Sequence, residues 1–167
     1  MTYFLVQIRL VQFAILIVCF LSSHTVTGQL SLPWTEDFEG ATPGTYTTNQ
    51  NPIPGLTGTG YTWEVQLGAN GRARTSAGAA FSNGGTQALT LDAATNGSVA
   101  INYLIANLDL SNYGGSNDLE LIFNYANHGE ENSPNDRVWM RGSSANPWVE
   151  VYNLYANSPG TGQYAQV

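Results

Sequence analysis

Residues 61–67, YTWEVQL, alternate apolar and polar side chains, and this stretch decides the predicted fold class. In an extended chain Trp63 and Val65 would lie on one face, while Glu64 and Gln66 would lie on the other. Strict alternation is typical of half-buried strands in antiparallel sheets, which turn one face to a core and the other to solvent. The stretch therefore predicts a strand with one buried side.

The same alternation continues along the chain from Gln29 onward. The apolar face predicted for residues 99–105 consists of Val99, Ile101, Tyr103 and Ile105. Further strands are predicted at 34–39, 87–92, 119–125, 137–141 and 148–153. Gly, Asn, Ser and Pro separate these segments, and none of them shows a helical stripe of apolar residues. The pattern predicts an all-β fold, an antiparallel two-sheet β-sandwich of the jelly-roll type.

Two regions interrupt this pattern. Residues 40–60 are rich in Pro and Gly, which disfavour strands, so they are interpreted as a long surface loop. Residues 162–167, GQYAQV, resemble the beginning of a strand at the end of the chain. Because unpaired edge strands promote aggregation, we expect the domain at 29–167 to be incomplete at its C-terminal end. Further domains of the same polypeptide would then follow.

The first 28 residues have the order of a secretory signal peptide. Arg9 precedes an apolar run at 10–21, and a polar stretch at 22–28 leads to a cleavage position before Gln29. The apolar run is shorter than the roughly 20 residues of a membrane-spanning helix. An uncleaved anchor is the alternative interpretation. The segment predicts a protein that is secreted to the extracellular space or cell surface.

The composition of the mature chain excludes several classes of partner. Cys19 is the only cysteine and lies in the predicted leader, so disulfides would not stabilise the secreted domain. Without the leader, four arginines, no lysine and twelve acidic residues give a net charge of −8. Nucleic acids and anionic membranes both require clustered cations. We therefore predict no nucleic-acid partner, and no membrane contact after signal cleavage.

The residues also argue against catalysis. The sequence lacks Gly-x-Ser-x-Gly, His-Glu-x-x-His and Walker-type motifs, and His128 is the only histidine beyond the leader. A glycosidase needs two carboxylates facing one cleft, about 5–9.5 Å apart. Glu130 and Glu131 are adjacent, so in an extended chain they would point in opposite directions. The residues predict a protein that is not an enzyme.

A candidate binding face follows from the hairpin at 137–153. If Val138, Met140, Val149 and Val151 point inward, six other side chains point outward. These are Arg137, Trp139, Arg141, Trp148, Glu150 and Tyr152. Sugar rings stack on flat aromatic surfaces flanked by charged groups, although the same residues could simply cover the sheet. Arg72 and Arg74 share the alternation and could join this face.

Five segments in order resemble the MAM-like, concanavalin-like jelly-roll modules of secreted multidomain proteins from Bacteroidetes-type bacteria. They are EDFEG (36–40), YTWEV (61–65), residues 108–131, NDRVWMRGS (135–143) and WVEVYNLYAN (148–157). The resemblance implies a non-catalytic extracellular module for adhesion or carbohydrate binding, exported through the type IX route. Its partner would be an extracellular glycan or a cell-surface protein.

The resemblance also implies a structural calcium ion, with Glu39 as a ligand. Calcium binds six to eight oxygen atoms, and Asp136 in the acidic segment 130–136 is a second candidate ligand. Alternatively, Glu39 is a solvated acid, and the 130–136 segment is an ordinary turn. An accessory part, or a degraded relative, of a jelly-roll glycoside hydrolase is the alternative function. Laminarinase-type enzymes carry Glu-x-Asp-x-x-Glu on a central strand, and the absence of this triplet favours the non-catalytic function.

Overall fold

Strands and turns build this protein. The computed structural model describes residues 28–77, 82–95, 100–115, 118–127 and 133–167, and the backbone of residues 2–9. Its strands are β1 (Thr2–Arg9), β2 (Gly44–Tyr46), β3 (Thr57–Gly58), β4 (Tyr61–Leu67), β5 (Gly71–Ala77), β6 (Gln87–Ala93), β7 (Asn102–Asp109), β8 (Asn124–Ala126), β9 (Arg137–Arg141), β10 (Val149–Asn153) and β11 (Tyr164–Gln166). A single 3₁₀ turn at Ser111–Tyr113 completes the described secondary structure. The predicted all-β class is confirmed.

The strands form three sheets. The front sheet has the order β10-β9-β1-β7-β4-β3, the back sheet has the order β2-β5-β6, and β8 pairs with β11. Every described ladder is antiparallel except the two made by β1. The sheets do not close into a barrel, and the front and back sheets share one hydrophobic core. This arrangement agrees with the predicted two-sheet sandwich.

The core lies between the front and back sheets. Trp63 and Val65 of β4 and Leu104 of β7 pack against Ala73 of β5 from the opposite sheet. The buried Asn102 also joins the layers, because its side-chain amide donates a hydrogen bond of 2.8 Å to the Asp92 carbonyl on β6. The alternation predicted for residues 61–67 is therefore confirmed, with Trp63 and Val65 on the buried face.

The segment at 40–60 differs from the surface loop predicted for it. It contains β2 and β3, and two of its side chains, Ile53 and Leu56, are 0% and 1% exposed. The Ile53 amide donates to the Trp63 carbonyl at 2.7 Å, and the Trp63 amide donates to the Leu56 carbonyl at 3.0 Å. Pro and Gly limit regular strand pairing here, but they allow the chain to follow β4 and bury these two apolar residues.

The strand predicted at 34–39 is absent from the structure. Phe38 adopts a positive φ of 63°, which breaks the extended conformation. The Glu36 carboxylate accepts a 2.8 Å hydrogen bond from the Phe38 amide, and Asp37 accepts one of 3.0 Å from the Glu39 amide. Such local side-chain contacts compete with strand pairing for the backbone donors.

The buried face of β7 is opposite to the predicted one. Leu104, Ala106 and Leu108 face the core, whereas Ile101 is exposed. Ile105 is only 5% exposed although it lies outside the core cluster, so β7 is buried on both faces at its centre. Alternation could not identify the core side, because a central strand carries apolar residues on both faces. Val99, the first residue of the predicted face, lies outside the described residues.

The predicted strand at 119–125 is shorter in the structure. Within the predicted range, only the residues from Asn124 onward form a strand, β8, and Ile122 before it is exposed. β8 pairs with β11, and the Phe123 and Val167 backbones extend this pairing with two further hydrogen bonds of 3.1 and 3.0 Å. The predicted strand at 162–167 is therefore confirmed, and it is paired.

β1 lies within the segment that the sequence predicts to be a leader. Its backbone pairs in parallel with β7 along Asn102–Asp109 and with β9 along Arg137–Arg141. A chain cleaved before Gln29 would lack this strand. Most of the predicted leader, including Cys19, lies outside the described residues, and so do residues 128–132 with His128, Glu130 and Glu131.

Candidate functional site on the outer face of the front sheet

The side of the front sheet that faces away from the back sheet, here called the outer face, carries most of the predicted binding residues. On β9, Val138 is 0% exposed and Met140 packs against the core. Because neighbouring side chains alternate, Arg137, Trp139 and Arg141 lie on the outer face. The predicted orientation of β9 is therefore confirmed.

Two pairwise contacts join β9 to β10 across the outer face. The Arg141 guanidinium carbon lies 4.2 Å from the centroid of the Trp148 ring, which is a cation–π contact. At the other end of the strand, Arg137 Nε lies 3.1 Å from Glu150 Oε1. Glu150 is directly opposite Trp139 in the ladder. These contacts bring five of the six predicted binding residues together.

The hairpin orientation predicted for the end of β10 is wrong. The register shifts between Glu150 and Tyr152, so Val151 is the extra residue of a β-bulge. As a result Tyr152 pairs with Val138 instead of continuing the Trp139 row. Val151 is 48% exposed, whereas the sequence predicted that it would point inward.

Val149 has the predicted inward orientation, but it is 58% exposed. It pairs with Met140 and so lies on the same side of the front sheet as the core. However, β10 is the edge strand of the six-stranded sheet, and the facing back sheet has only three strands. The inner face of an edge strand in the wider sheet therefore remains open to solvent.

Tyr152 belongs to an aromatic cluster beside the binding face. Its ring lies 6.2 Å from the rings of both Phe123 and Tyr125, edge to face in each case. The Tyr125 hydroxyl donates a 2.5 Å hydrogen bond to the Asn157 carbonyl. Burial, with a contribution from Tyr152, raises the pKa of Tyr125 to about 12. The cluster attaches the β8–β11 pair to β10, which is a structural role.

Glu64 and Asn107 are outer-face residues that sequence reasoning did not include in the site. Glu64 is half-buried on β4, and burial raises its pKa, while a hydrogen bond with Asn107 and the charge of Arg141 act in the opposite direction. The polar side of YTWEVQL signals that Glu64 points away from the core. The sequence does not show that Arg141, from a distant strand, is close enough to affect it.

Arg72 and Arg74 are not part of this face. Both lie on β5 in the back sheet, where they contact the Asp92 carboxylate on β6. Arg72 makes two hydrogen bonds to Asp92, of 2.7 and 2.8 Å, and Arg74 makes a third. The two arginines therefore hold two strands of the back sheet together.

The two predicted calcium ligands contact different parts of the fold. The Glu39 carboxylate accepts hydrogen bonds from the Thr86 and Gln87 amides, at 2.6 and 2.8 Å, at the start of β6. Asp136 precedes β9 and accepts a 3.2 Å hydrogen bond from the Ser133 amide. In the part of the chain that the structure describes, no three His, Cys, Asp or Glu side chains form a metal-binding group. Calcium binding stays a prediction.

Comparisons with known proteins do not assign the chain to a family. No protein-family model, no curated protein and no solved structure matches it. Among the described residues there is no helix of the length and hydrophobicity needed to span a membrane.

Proposed function

We propose that this chain is a non-catalytic extracellular module that binds a carbohydrate through the β9–β10 hairpin. The observation that carries the proposal is the Arg141–Trp148 contact, with Trp139 beside it on the same outer face. Both tryptophans are half-buried, so parts of their rings remain accessible. Aromatic rings with neighbouring polar groups can contact the C–H face of a sugar while its hydroxyls find hydrogen-bond partners.

The charges around the tryptophans favour a neutral polysaccharide. Arg137 and Arg141 are balanced by Glu150 and Glu64 on the same face. A sulfated or uronic-acid polymer would need an excess of local cations, and the whole chain has a net charge of −7. We therefore propose a neutral glycan of the extracellular space or a cell surface, reached by secretion and removal of residues 1–28.

A second candidate function is that of an accessory or degraded relative of a jelly-roll glycoside hydrolase. Glu64 favours it, because a half-buried carboxyl with a raised pKa is a property of general acids in such enzymes. A hydrolase also needs a second carboxylate within about 9.5 Å of the first. Glu150 on the outer face lies four strands away from Glu64 in the front sheet and is paired with Arg137. Hydrolysis of a neutral polysaccharide by the wild type, and its loss in Glu64→Gln, would support this candidate.

A pull-down of the full chain on insoluble neutral polysaccharides tests carbohydrate binding. We expect the wild type to be retained and Trp139→Ala to bind about tenfold more weakly, since a lost ring contact is worth about 1.4 kcal/mol. Tyr155→Ala is the matched control, because Tyr155 is an exposed aromatic residue outside the outer-face set. Equal retention of wild type and Trp139→Ala, or no retention of either, would contradict the proposal.

A further inference from the structure

β1 lies between β7 and β9 in the front sheet. β7 and β9 run in the same direction on either side of it, and β9 pairs with no described strand other than β1 and β10. Without a strand in this position, the β9–β10 hairpin would lose its hydrogen-bonded connection to β7. The position therefore joins the two halves of the sheet.

Removal of the leader would leave this position empty. The backbone groups along Asn102–Asp109 and Arg137–Arg141 would lose partners, and buried backbone donors and acceptors rarely lack them. Val138, which is fully buried beside β1, would lose a neighbouring strand. A gap in the middle of a sheet with apolar residues on both sides is unfavourable, so another strand should fill it.

We propose that β7 and β9 form an acceptor site for an extended segment of a partner polypeptide, which replaces β1 after export. The inference rests on the leader removal that the proposed function includes. In strand addition of this kind, backbone hydrogen bonds supply affinity, and alternate side chains supply specificity.

The direction of the sheet favours a replacement that runs antiparallel to β1. All other described ladders are antiparallel, and the two ladders of β1 are the parallel exceptions. Because β7 and β9 point the same way, one strand between them can be antiparallel to both. Antiparallel pairing is slightly more stable per residue, so such a segment would complete the sheet better than β1 does.

The neighbouring residues define the side chains that this segment should carry. Four successive positions are flanked by Leu104 with Val138, Ile105 with Trp139, Ala106 with Met140, and Asn107 with Arg141. The first three pairs are apolar, while the fourth is polar with a cation. The segment should therefore have three successive apolar residues beside one polar or acidic residue. β1 itself has Phe-Leu-Val-Gln in this register.

The test uses the full chain with β1 disabled. In a strand, successive N–H groups point to opposite neighbours, so Leu5→Pro with Val6→Pro removes one donor toward β7 and one toward β9. The probe is a fluorescent peptide, RIQVLFYT, which presents the side chains of Thr2–Arg9 in antiparallel order. The control peptide, RIQPPFYT, carries prolines at the two equivalent positions.

We expect RIQVLFYT to bind the proline variant at least tenfold more tightly than the wild type, in which β1 competes from within the chain. Hydrogen exchange should show protection of β7 and β9 on binding, and RIQPPFYT should not bind. If the proline variant is unfolded alone, recovery of its β-sheet circular dichroism with RIQVLFYT supports the proposal. Absence of binding, or binding without protection of β7 and β9, would overturn it.

Two further outcomes separate the alternatives. The first is that the wild type forms a dimer by exchanging β1 between two copies. A cross-link between residue 6 of one copy and residue 106 of the other would then prevent dissociation of the dimer. This result would overturn the partner polypeptide in favour of a second copy. N-terminal sequencing of the exported protein tests leader removal separately: a chain that still begins with Met1 overturns replacement of β1 after export. Neither measurement uses a glycan, so the carbohydrate proposal is judged independently.

Discussion

The Arg141 guanidinium covers the Trp148 ring at 4.2 Å, and this contact connects the last residue of β9 to the residue before β10. The same cation also acts on Glu64. Burial raises the pKa of Glu64, and the positive charge of Arg141 limits this rise. Arg141 therefore contacts Trp148 beside β10 and also acts electrostatically on Glu64 of β4.

Removing the Arg141 cation should change both the free energy of unfolding and the pKa of Glu64. We expect Arg141→Gln to lower the free energy of unfolding by about 0.5–1 kcal/mol, the usual value of an exposed cation–π contact. The pKa of Glu64 should rise in the same variant, because an attractive charge is lost. Urea denaturation combined with Trp148→Ala in a double-mutant cycle measures the contact, and a coupling energy near zero would contradict it.

Glu36 should make the protein less stable as the pH rises from acid to neutral. Burial raises the pKa of Glu36 above its ordinary value of 4.5, so between 4.5 and the raised value the unfolded chain loses its proton first. Folding then takes up a proton, and stability falls through this window. Glu36→Gln should therefore gain stability relative to the wild type as the pH rises above 4.5. Glu120→Gln is the control, because Glu120 is exposed. If the free energy of unfolding changes with pH in parallel for the wild type, Glu36→Gln and Glu120→Gln, Glu36 is not the group responsible.

Tyr125 should contribute to alkaline unfolding. Its pKa is raised to about 12, so ionisation is easier in the unfolded chain, and stability should fall as the pH rises from 10 toward that value. Tyr125→Phe should be less stable at neutral pH by about 0.5–1.5 kcal/mol, because it loses the bond to Asn157. Its stability should nevertheless fall less steeply in alkali. Tyr155→Phe, at an exposed position, should retain the wild-type slope.

Asp92 should be more important for stability than either arginine that contacts it. Asp92→Asn leaves two partly buried cations without their shared carboxylate, and we expect a loss of about 1–3 kcal/mol. Arg74→Met should cost less, because Arg72 keeps its two hydrogen bonds to Asp92. Thermal or urea denaturation of the wild type and both variants measures these losses of stability. A larger loss for Arg74→Met than for Asp92→Asn would contradict this account.

Glu39 allows a test of both loop anchoring and calcium. Hydrogen bonds from Thr86 and Gln87 lower its pKa, so its contribution is present above 4.5 and is lost as the pH falls through the lowered value. Glu39→Gln should therefore be less stable than the wild type at neutral pH, and its stability should fall less as the pH is lowered into the acid range. The calcium prediction implies that calcium raises the melting temperature of the wild type but not of Glu39→Gln. Identical melting in calcium and in chelator would count against the ion.

Much of the fold could be predicted from local patterns. The alternation of YTWEVQL identified β4 and its buried residues, and RVWMR identified β9 with Val138 on the inside. These predictions succeed because side-chain direction along a strand depends only on the local extended backbone. The same reasoning correctly placed Trp139 on the outer face.

Only the tertiary structure decided features that depend on distant partners. The bulge at Val151 moved Tyr152 into an aromatic cluster, and pairing with β6 placed Arg72 in the back sheet. The core side of β7 could not be predicted either, because apolar residues lie on both of its faces. The sequence by itself determined the all-β class and, for strands such as β4 and β9, which side chains are buried. Which strands pair, in which register and in which sheet is a non-local choice made by backbone hydrogen bonding and burial across the whole fold.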